Sequence, residues 1–287
     1  MHLVLPGGAA QPGRPCDELV LCDGQPEVTL DLRHLRFVAP LFLVRLRAWL
    51  DYHDRAGIRV IVLSPDKVDV CSYMSRMHVS AGLGPNVTFP LPVVNENPSN
   101  HRLIAVTRLN ADGNDRFDDL FGNLLASPDM KGAGYLAEVV KATASEMMLN
   151  AIEHGENPVG AYVAAQRFIR RGDAAPMQCV VAIGDLGIGM AAHLSAGGQG
   201  RLTDSATIEH GLADLVSGTG EEFRGRGFVV PFDVASQKNA AWADLRVRAN
   251  GGYVLKRSSG QVFHLPARTA VTGTWVEFTF AHAQVVG

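Results

Sequence analysis

Three stretches of this sequence carry residue types that could do chemistry together. In SEMMLNAIEHGEN, residues 145–157, Glu146, Asn150 and His154 recur every four residues, so a helix there puts a carboxylate, an amide and an imidazole on one face. Leu136, Val140, Met147 and Ala151 turn elsewhere, which leaves one packing face and one polar face. In VVAIGDLGIG, Asp185 ends an apolar run and is followed by Gly187 and Gly189, glycines that let a backbone come close to a ligand. In SGTGEEFRGRGF, Gly218, Gly220, Gly225 and Gly227 precede the helix-like FVVPFDVASQKN, and such loops present N–H groups to phosphates. Each stretch also has a plainer reading: a solvated stripe, a strand-ending turn and a surface loop.

The elements that must position these residues follow from periodicity. EVTLDL alternates as a strand, and FLVRLRAWLDYHDRAG reads as an amphipathic helix with Leu43, Leu46 and Leu50 on one face and Gly57 as its C-cap. IRVIVLSP is a short β-branched run closed by proline, and DKVDVCSYMSRMHVSAGL reads as a second helix, giving a small α/β unit with a parallel pair. Residues 84–100, rich in proline and asparagine without helical period, mark a boundary, so the expected domains are 1–98 and 99–287. Beyond it, RLIAVTRL predicts a strand, DRFDDLFGNLLAS a helix and YLAEVVKATASEMMLNAIEHG a long helix, while AYVAAQRFIRR fits neither period cleanly. CVVAIGDLG predicts a buried strand, and ADLRVRA, YVLKRS, QVFHLPA and TWVEFTF predict short strands parted by turn residues, Asn250-Gly251-Gly252 among them. The fold class expected is α/β, with a C-terminal mixed sheet that carries helices on one face.

Composition narrows the function. A net charge of −3 offers no cationic field for nucleic acid, and the longest apolar run, FVAPLFLVRLRAWL, is broken by Arg45 and Arg47 and too short to span a bilayer. Four cysteines without a CxxC pair, and no export signal at the N-terminus, fit a cytoplasmic protein.

The ordered set ExxxNAxxH, DxGxGM, GTG…GRGF and a final GT before alternating apolar residues resembles the N box and glycine boxes of the Bergerat-fold (GHKL) ATPases, over residues 101–285. The resemblance implies ATP and Mg2+ as cofactors. Asn150 would give its amide oxygen to the metal, Asp185 would accept a hydrogen bond from the adenine amino group, and Thr274 would complete the adenine contact. Gly187 and Gly189 would admit the nucleotide, and Gly218, Gly220, Gly225 and Gly227 would form a lid over the phosphates. Glu146 stands where members that hydrolyse ATP or transfer phosphate carry a general base. His154 is expected to support the pocket or to pack at the helix end, because no upstream dimerisation helix pair marks it as a phosphoacceptor.

The N box looks closest to that of bacterial anti-sigma-factor serine kinases, and residues 27–83 resemble a STAS domain, the antagonist module that partners them. The match implies a regulatory ATPase or serine/threonine kinase acting on a protein partner such as a sigma factor or STAS-type antagonist. The alternative is a nucleotide-gated binding switch without useful catalysis. Two departures stand out. FVAPL, residues 37–41, has no hydroxyl where antagonists carry a phosphorylated serine, which leaves the STAS-like half as a docking or homodimerising surface or a structural cap. Pro231 sits early in the helix after the lid, where a leucine-rich start is usual.

Overall fold

A computed structural model describes residues 1–11, 13–14, 17–95, 102–109, 119, 121–122, 124, 159–168, 177–196, 202–213 and 240–282. Two sheets are built from them. Strands β1 (His2–Val4), β2 (Glu27–Asp31), β3 (Arg59–Leu63) and β4 (Val87–Thr88) form a parallel sheet in that order. Between β2 and β3 the chain runs through helix α1 (Pro40–Arg55), and α2 (Val68–Arg76) follows β3. The strand, helix, strand, helix order predicted from periodicity is therefore present, with a parallel β2–β3 pair at its centre. α1 starts with a proline at its first turn, where no N–H is needed. It ends at Ala56, and Gly57 takes φ +71° just beyond. The Gly57 N–H reaches the Asp54 carbonyl and the Ile58 N–H reaches the His53 carbonyl, closing the helix with the paired bonds a left-handed glycine permits.

The second sheet has seven strands in the order β10-β9-β8-β11-β7-β6-β5. They are β5 (Leu103–Leu109), β6 (Ala161–Phe168), β7 (Met177–Gly184), β8 (Ala240–Asn250), β9 (Gly252–Arg257), β10 (Val262–His264) and β11 (Val271–His282). Every pairing in it is antiparallel, which corrects the expected mixed sheet. Helices α3 (Met190–Ala196) and α4 (Asp204–Ala213) lie over β8 and β9. The opposite face is covered by α1, which packs on β6, β7 and β11.

Strand alternation divides the core accordingly. Ala161, Val163, Cys179, Val181, Ile183, Val276 and Phe278 share a cluster with Ala191, Ile208 and Leu212 of α3 and α4. Tyr162, Ala164, Ala182 and Trp275 point the other way and join the cluster built on α1. α1 is thus sandwiched between two sheets, and Leu41, Phe42, Val44, Leu46 and Trp49 are buried almost all round it rather than on one stripe. Polar contacts reinforce this layer. Tyr162 donates to Asp51 at 2.5 Å, Tyr73 donates to Gln166, and the Arg45 guanidinium lies 5.3 Å from the Trp275 ring centre. Among the described residues, no helix is long and apolar enough to cross a membrane.

The N-terminal stretch is also structured, beyond β1. Arg45, Trp49 and Tyr52 of α1 donate to the Leu19 carbonyl, the Val20 carbonyl and the Asp23 carboxylate, and His53 accepts the Cys22 N–H at 3.1 Å. Asp17 from the same stretch is buried against Arg248 of β8 at 3.2 Å.

Candidate functional site

The site grows from the ends of two adjacent strands. β7 is apolar on both faces because α1 covers one and α3 and α4 the other, and it ends at Gly184, opposite Trp275 of β11. Gly184 has no room for a side chain: a Cβ would run into the Trp275 ring. The next residue, Asp185, donates its backbone N–H to the Thr274 carbonyl at 3.0 Å, so residues 185 and 274 lie side by side across the strand pair.

β11 reaches this position through a register shift between Val271 and Thr274. Gly273 takes φ +81° there, and a Cβ on it would overlap the Asp185 carbonyl oxygen. Glycine before Thr274 is therefore a steric requirement of bringing Thr274 against Asp185.

Asp185 is 2% exposed. Burial raises its carboxyl from 3.8 to about 7, opposed by backbone hydrogen bonds from Gly187 and Thr274. The Gly187 N–H reaches Oδ1 at 2.7 Å. No cation pairs with the carboxyl among the described residues. A desolvated carboxyl without a counter-charge at a strand end is costly in the empty protein, and a ligand N–H donor would relieve it.

Thr274 Oγ1 accepts the Met190 N–H at 2.8 Å, which leaves the hydroxyl proton for another acceptor. Gly189, at φ +85°, ends the turn and leads into α3. The structure thus brings Asp185, Gly187, Gly189 and Thr274 into one cluster. Glu146, Asn150, His154, Gly218, Gly220, Gly225 and Gly227 lie outside the described residues. Groups of three or more His, Cys, Asp or Glu able to hold a metal are absent among the described residues.

One member of the cluster is not apparent from sequence. Asn250, at the tip of the β8–β9 hairpin, donates from Nδ2 to the Ile188 carbonyl at 3.0 Å and accepts the Ala192 N–H on Oδ1 at 3.2 Å. The Asn-Gly pair marks the hairpin in the sequence, but its contact with a turn 62 positions away has no local signature. The three cysteines described, Cys22, Cys71 and Cys179, are free and buried, and burial pushes their thiols up, so none is a nucleophile candidate. A comparison with known protein families finds no match, and a comparison with curated proteins finds none either.

Proposed function

We propose that this chain is a Mg-ATP-binding regulatory protein of the Bergerat (GHKL) type, joined to an N-terminal STAS-like half. The observation that carries the reading is the juxtaposition of Asp185 and Thr274. A buried carboxyl able to accept from an amino group and a hydroxyl able to donate stand together at the ends of neighbouring strands. That pair matches the donor and acceptor edge of adenine, and Gly189 and Gly273 let the two strand ends pack this closely. Asn150, through its amide oxygen, would hold the Mg2+, which would neutralise charge on the phosphates. Glu146 would act as general base for hydrolysis or phosphoryl transfer to a protein hydroxyl.

For the N-terminal half, the burial of α1 between the sheets favours a structural cap over a free docking face. Titration calorimetry with ATP, GTP and ADP, with and without magnesium, tests the reading. ATP is expected to bind, to prefer magnesium, and to lose its binding in Asp185→Ala; equal binding of ATP in that variant would remove Asp185 from the site. Incubation with labelled ATP then separates an enzyme from a binding switch. Steady phosphate release or a labelled protein that disappears in Glu146→Gln, with nucleotide affinity kept, identifies catalysis.

A further inference from the structure

The turn that carries Asp185 is not held by its own residues alone. Its exit, Ile188 to Ala192, is gripped from the β8–β9 hairpin by both ends of one amide: Nδ2 of Asn250 binds the Ile188 carbonyl and Oδ1 takes the Ala192 N–H. The fit is close. A Cβ at Gly189 would stand 2.5 Å from Asn250 Oδ1, so the glycine makes room for the clamp as well as for a left-handed turn.

The hairpin tip is itself fixed. Asn250 has φ +48°, a conformation asparagine tolerates. Its carbonyl accepts from Arg248 at 2.5 Å, and Arg248 is anchored by buried Asp17. The Gly251 N–H binds the Asp204 carboxylate at 2.7 Å, and the Tyr253 N–H binds the Ser205 hydroxyl at 3.2 Å, tying the tip to the start of α4. A Cβ on Gly252 would meet backbone atoms of Asp204 and Ser205 at 2.7 and 2.8 Å, so the tip seats directly on that helix.

We propose that Asn250 is the positioning residue of the adenine site, aligning the Asp185 turn without touching the nucleotide. The inference rests on the nucleotide reading above. Asn250→Gly is the informative variant, because glycine accepts φ +48° and only the side-chain clamp is lost. Asn250→Asp, which keeps an acceptor for Ala192 and drops the donor to Ile188, serves if the glycine variant does not fold. Tyr73→Phe, which removes a distant contact between α2 and β6, controls for general loosening.

Calorimetry with MgATP and MgGTP is expected to show wild type preferring ATP, Asn250→Gly binding ATP about tenfold more weakly with a reduced ATP-to-GTP ratio, and Tyr73→Phe keeping the ratio. A role in stability alone would lower the melting temperature and leave the ratio unchanged, and that result overturns the proposal. Hydrogen exchange over residues 186–194 of the ligand-free protein provides a second readout: faster exchange in Asn250→Gly supports the clamp, and unchanged exchange overturns it. If wild type binds neither nucleotide, the nucleotide reading fails by itself, and the exchange result still decides whether Asn250 holds the turn.

Discussion

Replacing Asp185 by asparagine should stabilise the ligand-free protein and destroy the proposed adenine site in one step. The folded chain holds this carboxyl at about 7, against 3.8 for an ordinary aspartate, because burial disfavours its charge. The native state therefore binds the proton more tightly than the unfolded chain, and wild-type stability falls as pH rises from about 3.8 to about 7, then levels off. Above that window the ionised form costs the fold about 4 kcal/mol. Asp185→Asn keeps an oxygen for the Gly187 N–H and removes the charge. A buried amide retains part of the desolvation cost, so the expected gain is about 2 to 4 kcal/mol at pH 8. For a chain of this size, that raises the melting temperature by roughly 3 to 7 °C. Melting both proteins at pH 8 and pH 4 by circular dichroism measures it, and the gain should shrink to near zero at the lower pH. A variant that melts lower at pH 8, or a difference that ignores pH, would refute the account of Asp185 as a desolvated carboxyl. Loss of ATP binding in the same variant completes the trade of stability for recognition.

Gly273→Ala should cost about 1 to 3 kcal/mol in urea unfolding, since φ +81° and the Asp185 carbonyl both exclude a Cβ, and it should weaken ATP binding by shifting Thr274. His53 is held below its ordinary 6.5 by burial, and it is satisfied as a neutral ring: Nδ1–H donates to the Trp49 carbonyl at 2.7 Å while Nε2 accepts from Cys22. Because its folded value is depressed, stability should be lost as pH falls below 6.5 toward the folded value, and His53→Asn should flatten that slope in melts between pH 7 and pH 5. An unchanged slope would move the acid sensitivity to another group.

The site is legible where chemistry and local geometry coincide. Asp185 closes an apolar strand and precedes two glycines, and Gly273-Thr274 opens another, so both strand ends can be recognised separately. Their meeting depends on β7 pairing with β11, which no local pattern encodes. Strand direction escapes the sequence for the same reason: propensity marks a strand, but its partner decides whether the pair is parallel or antiparallel. β6 is ambiguous as AYVAAQRFIRR because both of its faces are buried, Tyr162 and Ala164 toward α1 and Val163 and Ala165 toward the other cluster, which erases the two-residue alternation. β1, three residues beside a glycine-rich segment, and α3, seven residues after a glycine turn, are too short to show a period. The same burial explains α1. A helix apolar on nearly every side needs cover on every side, and the sheet that carries Asp185 supplies half of it. Leu186, in the Asp185 turn, belongs to that shared cluster, so the N-terminal half forms the floor on which the candidate adenine site rests. A change that loosens α1 is therefore expected to reach position 185 through Leu186, even though no residue of α1 carries chemistry in the proposed site.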